Sequence, residues 1–558
     1  MVSVSHPSVV ERLSRLAADQ RAAAMAPPGP VLCVAPAGSG KTTTLVARVA
    51  WLVDGGADPG SVCIVAFNKR AAEELSARLD AALAPLGVAA GSVRVRTFHA
   101  LGREILRDAG VAVEPLADRD AVLHDLFPGI TRADRGRLDL AFSRLKLDLR
   151  VTAAEVARDP TPGPIARAYI AYEGAVRESG GVDFDDLLVR ALESLRADAR
   201  LLARWRSRTA RLLVDEAQDL DRTQLELALL LAAPANDVFL VGDDDQTVYS
   251  WRLADVRRVL GLAASLPGLR RVDLETNYRC PPPVVARAVR LVEHNRERFA
   301  KRILAGSRSG GRLILAPDAS DDVVRVRHAM ASWPADETTR AVLARTNREL
   351  MVAVVAALDL GIPFRAPDLP LALEDPRLDG LLERAEAETA TDPAGAPGHG
   401  PLPALGRLRA ALRAEEAVSP PDDADEVTEG DLVTALLGWA AAHPSIIGLR
   451  AAVAERRARL AELRRDDAAL TLATAHGTKG LEWDHVLVLA DGFPGRRAVS
   501  DAIEPERALE EERRLAYVAW TRARRSLTLL YDPEAPSPFL REAFDPSELA
   551  PPVRVRAA

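Results

Sequence analysis

The sequence predicts an α/β fold with two parallel-sheet domains, each interrupted by a mostly helical insertion. Short apolar, β-branched runs recur before polar segments and helix-like stretches, beginning with Val31–Val34 and Val62–Phe67. A second set of such runs begins near residue 312. Between 368 and 467 the alternation gives way to a Pro/Gly/Ala-rich stretch at 392–403, an acidic patch at 422–426 and an Arg/Ala/Leu-rich helix. Strands alternating with helices predict parallel α/β units, and the break predicts an insertion.

The bulk properties narrow the class of protein. A chain of 558 residues exceeds one hydrophobic core, which predicts about three or four domains. The net charge of −7 carries no overall basic signal, so any nucleic-acid site must be local. The cysteines, Cys33, Cys63 and Cys280, are too far apart for a zinc site or a disulfide framework, which favours a reducing cytoplasm. No apolar run approaches the ~18–20 residues that span a bilayer, so no membrane association is expected.

A glycine-rich loop follows the first strand. Residues 35–42 read Ala-Pro-Ala-Gly-Ser-Gly-Lys-Thr, and a helix-like stretch, Thr43–Val53, comes next. Strand, glycine loop and helix are the context of a phosphate-binding loop. Glycines let the backbone N–H groups turn toward a phosphate, and the helix adds its positive N-terminal end. Lys41 is predicted to reach the β- and γ-phosphates and Thr42 to hold Mg²⁺, although Ala35 stands where the strict pattern has a glycine.

Acidic and amide side chains follow two later strands. The run Leu212–Val214 ends in Asp215 and Glu216, the natural partner of a phosphate loop. Asp215 is predicted to bind Mg²⁺, and Glu216 to orient and deprotonate the attacking water. Gln246 follows the next strand and can sense a γ-phosphate by hydrogen bonding. The alternative is an acidic turn without catalytic function.

Aromatic and basic side chains at strand ends indicate nucleic-acid binding. Phe67 and Phe98 are candidates for stacking bases, and Lys69, Arg70 and Thr97 for holding a backbone. The carboxyl ends of parallel strands are where ligands bind in such sheets. The alternative is that both aromatics belong to the core.

A second aromatic cluster follows Gln246. Tyr249, Trp251 and Arg252 suit the stacking of single-stranded bases. The alternative is that Trp251 is a core residue.

Upstream, Asp185 and Asp186 are metal-ligand candidates, but a helix N-cap or a solvated acidic turn is the favoured interpretation. Three further expectations concern the backbone. The prolines at 281–283 mark a linker or turn, a charged helix spans Glu510–Ala523, and one amphipathic helix pattern opens the chain and ends near residue 27.

These blocks, in their order, resemble a superfamily 1A DNA helicase of the UvrD/Rep/PcrA type. The motifs that carry the resemblance are AGSGKT (37–42), TFHALG (97–102), VDEAQD (214–219), VGDDDQTVYSWR (241–252), NYRC (277–280), HGTKGLEW (476–483) and AYVAWTRA (516–523). The resemblance implies two RecA-like domains that bind one ATP and walk 3′→5′ along single-stranded DNA, with duplex junctions and repair or replication proteins as partners.

The resemblance also implies residue roles. Gln20 and Tyr278 would contact adenine, and Glu482 would contact the ribose. Without the resemblance, Gln20 is best interpreted as a solvent-facing helix residue. Arg279 and Arg522 would be arginine fingers brought to the γ-phosphate by the second domain. The nucleotide-binding loop would comprise Ala35, Pro36, Ala37, Gly38, Ser39, Gly40, Lys41, Thr42 and Thr43. The DNA contacts would be Phe67, Thr97, Phe98, His99, Tyr249, Trp251, Arg252 and His476.

The implied domain boundaries follow the motif order. Domain 1A takes 1–98 and 206–274, the helical domain 1B takes 99–205, domain 2A takes 275–367 and 468–540, a reduced helical domain 2B takes 368–467, and 541–558 form a tail.

The chain departs from the family pattern in four places. Thr43 replaces an arginine beside the adenine, Ala66 and Asn68 alter a DNA-contacting block, and Leu253 replaces a glycine. The 2B insertion is short. Two alternatives to a helicase in DNA repair, replication or recombination stay open. One, which the short 2B insertion supports, is a translocase that strips proteins from DNA and unwinds duplex poorly. The other is an ATP-gated DNA-binding subunit that needs a partner.

Overall fold

The computed structural model describes residues 5–306, 310–334, 336–367, 369–390, 401–418, 428–440, 443–495, 499–500 and 504–549. The chain divides into two compact units. Unit 1 comprises Met1–Gly310 and Glu506–Thr521, and unit 2 comprises Gly311–Pro505 and Arg522–Ala558. The acidic patch at 422–426 and residues 392–400 of the Pro/Gly/Ala-rich stretch lie outside the described residues.

A parallel sheet forms the centre of unit 1. In the described part of this unit its six strands follow the order β3-β2-β4-β5-β1-β6, and every neighbouring pair is parallel. The strands are β1 (Val31–Val34), β2 (Val62–Ala66), β3 (Arg94–Thr97), β4 (Arg211–Val214), β5 (Val238–Gly242) and β6 (Arg270–Asp273). All residues of β1, β2 and β5 are buried, because helices cover both faces of a parallel sheet.

One set of helices in unit 1 surrounds this sheet, and a second set, between β3 and β4, forms a helical region. The helices that pack near the sheet are α1 (Pro7–Ser14), α2 (Ala18–Ala24), α3 (Lys41–Asp54), α4 (Lys69–Leu83), α12 (Arg222–Ala232), α13 (Val256–Leu260) and α14 (Leu262–Ser265). The helix α15 (Pro282–Val292) belongs to the same unit. The helices between β3 and β4 are α5 (Phe98–Asp108), α6 (Arg119–Leu126), α7 (Arg132–Ser143), α8 (Ala153–Val156), α9 (Pro164–Glu178), α10 (Asp186–Ala197) and α11 (Ala199–Arg208). Part of this helical region has its own core around Phe142, Tyr169 and Tyr172.

Unit 2 contains a second parallel sheet. Among its described residues the strand order is β11-β12-β10-β13-β14-β9. The strands are β9 (Arg312–Pro317), β10 (Arg340–Ala344), β11 (Phe364–Arg365), β12 (Leu470–Thr474), β13 (Trp483–Leu489) and β14 (Ala523–Tyr531). A small parallel pair, β7 (Thr276–Asn277) and β8 (Leu304–Ala305), belongs to unit 1. The predicted α/β class with two parallel sheets is confirmed.

Most helices of unit 2, from the one that begins at Asp322 to the one that ends at Leu463, contribute to a common hydrophobic core. The helices of this unit are α16 (Asp322–Ala331), α17 (Asn347–Leu360), α18 (Arg377–Ala390), α19 (Leu402–Val418), α20 (Glu429–Ala440), α21 (Ile446–Leu463), α23 (Pro538–Ala543) and α24 (Pro546–Leu549). One hydrophobic cluster contains Leu472 and Leu487 of the sheet together with Leu381, Leu432 and Leu449 of the inserted helices. The insertion is therefore packed onto the sheet.

Several local expectations are corrected. The charged helix, α22, spans Pro505–Trp520, so Arg522 follows the helix and immediately precedes β14. The prolines at 281–283 begin helix α15, because proline suits the first turn, where its missing N–H has no intrahelical partner. The N-terminal pattern forms two helices, since the chain is extended at Ala17. Residues 275–310 and 506–521, expected in domain 2A, cluster with unit 1.

None of the helices in the described ranges is long and apolar enough to cross a membrane.

Candidate functional site

Two glycines shape the loop between β1 and α3. Gly38 and Gly40 have φ angles of +68° and +85°, in the left-handed region. A Cβ on Gly40 would lie 2.5 Å from Nε2 of Gln20, and one on Gly38 would lie 2.7 Å from Oδ1 of Asn277. Backbone conformation and lack of space both exclude side chains here. The loop is a glycine cradle that leaves its backbone open to close approach by a phosphate.

Ala35 replaces the first glycine of the phosphate-loop pattern. Its N–H donates to the carbonyl of Gly242 at 2.8 Å, which extends the β1–β5 pairing by one residue. Its methyl group is fully buried, and its φ is not positive. Alanine therefore fits at this position, because the backbone does not need the conformational freedom of glycine there.

Lys41 and Glu216 form the charged centre of the loop. Nζ of Lys41 lies 3.1 and 3.0 Å from the two carboxylate oxygens of Glu216, 175 residues away in the sequence. Glu216 has a φ of +52°, which a non-glycine residue adopts at a cost of about 1–3 kcal/mol. Strain of this kind is found where surrounding structure holds a side chain for function. The two predicted catalytic groups are brought together.

The metal-ligand candidates supply oxygen atoms only. Thr42 and Asp215 are both partly exposed, and Oδ1 of Asp215 accepts a hydrogen bond from the N–H of Glu216 at 3.0 Å. Mg²⁺ is usually held by one or two carboxylates together with substrate phosphates, so this donor set beside the glycine cradle fits the ion. Within the described ranges no group of three or more His, Cys, Asp or Glu residues is arranged to hold a metal by itself.

Gln246 is held at the end of the neighbouring strand. Its side chain is 3 % exposed, and Nε2 donates to Oδ2 of Asp243 at 2.7 Å. Asp243 begins the short turn that follows β5, so the amide lies at the carboxyl edge of the sheet, where the loop after β1 also lies. Asp243 therefore belongs to the site, although no local feature of the sequence singles it out.

The adenine-contact candidates lie against the glycine loop. Gln20 is 7 % exposed rather than solvent-facing, and its Nε2 donates to the carbonyl of Ser39 at 2.8 Å. Tyr278 is 45 % exposed, and its N–H donates to the carbonyl of Gly38 at 2.9 Å. Both residues therefore adjoin the loop. Thr43, the departure from the family pattern, is exposed at the start of α3.

Arg279 belongs to the same unit as the glycine loop. Its Cβ is 2.7 Å from the point where a Cβ on Gly38 would lie, and its Nη1 donates to the carbonyl of Thr521 at 3.2 Å. The family resemblance implies that this arginine lies in the second domain, but unit 1 contains it. The segment after β6 returns to the loop, which a reading of sequence order does not reveal.

Unit 2 contains two further nucleotide candidates, Arg522 and Glu482, and one DNA-contact candidate, His476. Arg522 is 1 % exposed, and its Nη1 donates to the carbonyl of Leu481 at 3.3 Å. Glu482, which follows Leu481 in the chain, accepts a hydrogen bond from Nε of Arg524 at 2.9 Å. His476 lies in the turn after β12, where burial and the nearby Arg345 lower its pKa to about 4. His476 is therefore neutral near pH 7.

An aromatic cluster lies at the carboxyl edge of the first sheet. Phe67 stacks on Tyr249 with ring centroids 5.1 Å apart, and Tyr249 meets Trp251 edge-on at 6.0 Å. The guanidinium of Arg252 lies 4.6 Å from the Trp251 ring centroid. Trp251 is 49 % exposed, so the core alternative does not describe it. The cluster presents an open aromatic surface next to a cation.

The second predicted aromatic site differs from the expectation. Phe98 is 4 % exposed in the core, so the core alternative describes its position, and Thr97 caps α5 by accepting from the Ala100 N–H. The exposed aromatic here is Phe184, which stacks on His99 at 3.9 Å and is 56 % exposed. Burial lowers the pKa of His99 to about 4. The sequence signal for this site is a phenylalanine inside the acidic run Asp183–Asp186.

The acidic run itself is a buried ion-pair cluster. Oδ2 of Asp183 accepts from Arg119 at 2.6 Å and from Lys146 at 2.8 Å, and Asp186 accepts from Lys146 at 3.0 Å. Asp185 accepts from Arg119 at 2.7 Å. Burial alone would raise the pKa of Asp183, but Lys146 and Arg119 hold it far below its usual range. The metal-ligand and solvated-turn interpretations are both wrong, because these carboxylates are buried and paired.

Replacing Lys146 should destabilise unit 1. Its ammonium also contacts Glu173 at 2.6 Å, so Lys146→Met leaves three carboxylates without this partner. We expect a loss of about 3–5 kcal/mol in the free energy of unfolding, the usual cost of breaking a buried ion pair. Denaturant titration measures it, with exposed Arg15→Met as the control. A loss no larger than that of the control would contradict this structural role.

Comparison with known proteins supplies the context for this geometry. A family model described as the UvrD/REP helicase N-terminal domain matches residues 16–267, and a UvrD-like helicase C-terminal domain matches residues 451–534. The chain is 33 % identical over 581 aligned residues to the ATP-dependent DNA helicase UvrD2 of Mycobacterium tuberculosis, covering 91 % of this chain and 77 % of the relative. It is 31 % identical to DNA helicase II of Escherichia coli K12, covering 62 % of this chain and 50 % of that protein. It is 32 % identical to the ATP-dependent DNA helicase PcrA of Leuconostoc citreum, covering 51 % and 40 %.

Proposed function

The chain belongs to the UvrD/Rep helicase family, and we propose that it hydrolyses ATP to move 3′→5′ along single-stranded DNA and to unwind duplex DNA. The observation that carries the proposal is the pairing of Lys41 with Glu216 beside the glycine cradle. A phosphate-binding lysine and a candidate general base are two of the groups that nucleotide hydrolysis uses.

Each residue of the centre has a chemical task in this proposal. Lys41 leaves Glu216 to bind the β- and γ-phosphates, and Glu216 then orients and deprotonates the attacking water. Gln246 senses the γ-phosphate. Thr42 and Asp215 would hold Mg²⁺, which would neutralise charge on the phosphates.

Further groups recognise the nucleoside and the developing charge. Gln20 and Tyr278 contact the adenine, and Glu482 contacts the ribose. Arg279 and Arg522 supply positive charge to the γ-phosphate as negative charge redistributes during phosphoryl transfer. The support for Gln20 and Tyr278 is their hydrogen bonds to the loop backbone.

Single-stranded DNA is the proposed track. The open surface formed by Phe67, Tyr249, Trp251 and Arg252 suits stacking of successive bases without sequence preference. Phe184 and His99 extend the set of aromatic candidates. We place the activity at duplex junctions in DNA repair, replication or recombination, alongside proteins of those processes.

The test of the function is the ATPase rate of the purified chain. We expect stimulation by single-stranded DNA and much weaker stimulation by RNA. Displacement of streptavidin from a biotinylated strand without strand separation would instead favour the protein-stripping translocase. No stimulation by DNA would favour the ATP-gated subunit and overturn the proposal.

Trp251→Ala should uncouple ATP use from movement. The half-exposed ring offers a stacking surface worth about 1–3 kcal/mol per base. We expect translocation on single-stranded DNA to slow more than the DNA-independent ATPase, which does not use this surface. Stopped-flow translocation along labelled oligonucleotides measures the first, and a coupled ATPase assay the second.

Trp251→Phe is the matched control, because it keeps an aromatic face and should retain most of the translocation rate. Equal translocation by the alanine variant and the unchanged protein would make the ring dispensable for DNA movement.

A further inference from the structure

A buried lysine holds the turn that carries Gln246. The side chain of Lys301 is 1 % exposed. Its Nζ lies 2.6 Å from Oδ1 of Asp243, 2.5 Å from Oδ1 of Asp244 and 2.9 Å from Oδ2 of Asp245. One ammonium thus contacts three consecutive carboxylates, and all four residues belong to unit 1. Lysine is rarely this buried unless such partners compensate it.

Asp243 links this lysine to the catalytic centre. Its second oxygen, Oδ2, accepts the amide of Gln246 at 2.7 Å. Its N–H donates to Oε1 of Gln218 at 3.0 Å, and Nε2 of Gln218 donates to Oε2 of Glu216 at 2.6 Å. Hydrogen bonds therefore run without a break from Lys301 through Asp243 to Gln246 and to Glu216.

The charge balance of the cluster shows what Lys301 contributes. Arg298 makes two hydrogen bonds to Asp245, at 3.0 and 2.8 Å, so Asp245 has a second cation. Asp244 accepts from the N–H of Phe299 at 2.8 Å, and burial raises its pKa. Within the described part of the chain, Lys301 is the cation that forms an ion pair with Asp243. The lysine therefore fixes the carboxylate that anchors Gln246.

We propose that Lys301 is a positioning residue for ATP hydrolysis, which acts by holding Asp243 in the orientation that aims the Gln246 amide. Lys301 lies 55 residues beyond Gln246 in the sequence and outside the motifs that carry the family resemblance. The inference rests on the proposed function, because it takes from it the role of Gln246 at the γ-phosphate.

The test is a double-mutant cycle between Lys301→Met and Gln246→Ala. We expect Lys301→Met to lower DNA-stimulated kcat by about 10- to 100-fold, since small misplacements of a positioned group have effects of this size. In the Gln246→Ala background the same change should lower kcat less than about twofold, because residues in one network are not additive. Equal effects in both backgrounds would overturn the inference.

A nucleotide-binding readout separates positioning from stability. Gln246 meets only the γ-phosphate in this proposal, so Lys301→Met should weaken binding of a non-hydrolysable ATP analogue while leaving ADP affinity unchanged. Equal weakening of both nucleotides would indicate general damage to the fold and count against the inference.

A charge-restoring variant keeps the test interpretable. Lys301→Met with Asp244→Asn removes one cation and one carboxylate together, and it is used throughout the cycle if Lys301→Met alone does not fold. Its kcat should stay low, because Asp243 still lacks its ammonium. Recovery of kcat would show that Lys301 only balances the charge of the carboxylates, and it would overturn the inference.

The cycle also separates failure of this inference from failure of the proposed role of Gln246. If Gln246→Ala alone has unchanged kcat, the proposed role of Gln246 fails as well. If the effects of Lys301→Met and Gln246→Ala on kcat are simply additive, the inference fails but the role of Gln246 stays intact.

Discussion

Arg522→Ala should lower DNA-stimulated ATP hydrolysis by roughly 10³-fold or more while nucleotide affinity stays within about tenfold, as for an arginine finger. Arg522 is 1 % exposed in unit 2, and its own carbonyl accepts from the Trp483 N–H at 3.0 Å. This hydrogen bond joins the backbone of Arg522 to the second sheet, so the position of its Cα is fixed. In the proposed role its charge acts only as the γ-phosphate transfers, so nucleotide binding should change little and kcat should change most.

The measurement combines steady-state ATPase assays with equilibrium binding of a fluorescent nucleotide. Arg525→Ala is the matched control, because Arg525 lies three residues later, in β14, with a side chain that is 61 % exposed. It should retain normal hydrolysis. The Arg522 variant should also lose translocation while keeping DNA binding in the absence of nucleotide. If the variant hydrolysed ATP at a near-normal rate with DNA, Arg522 would be a structural residue just before β14 and not an arginine finger.

Glu216→Gln should bind ATP normally and turn it over about 10²- to 10⁴-fold more slowly, the range that a general base contributes. The amide keeps the shape of the side chain but cannot accept the proton of the attacking water. The hydrogen bond to Lys41 changes from a charged pair to a neutral acceptor, which frees the lysine for phosphate. We therefore expect ATP affinity to be kept or raised, not lost.

Single-turnover hydrolysis and nucleotide binding, measured on the same preparation, separate these two effects. Glu11→Gln is the control, because Glu11 lies in α1 with a side chain that is 63 % exposed. Turnover by Glu216→Gln at the rate of this control would remove Glu216 from the role of base. Loss of ATP binding would show that its contact with Lys41 shapes the loop.

Local signals in the sequence were sufficient for much of this architecture. The strand at Val31–Val34, the glycine loop and the lysine that begins α3 were all predicted, because each depends on a few adjacent residues. A buried apolar run, glycines with positive φ and a helix start carry their information locally. The parallel α/β class followed from repetition of that pattern, and the order of the motifs indicated the family.

Burial and long-range pairing were decided by the tertiary structure alone. Phe67 and Phe98 have similar sequence contexts, yet one faces an aromatic cluster and the other lies in the core. The acidic run at 183–186 became a buried cluster only because Arg119 and Lys146 approach it from 37 residues away or more. Lys301 gave no local signal, since an isolated lysine is usually solvated. Desolvation and ion pairing depend on which distant groups the fold brings within about 3 Å, and no short stretch of sequence contains that information.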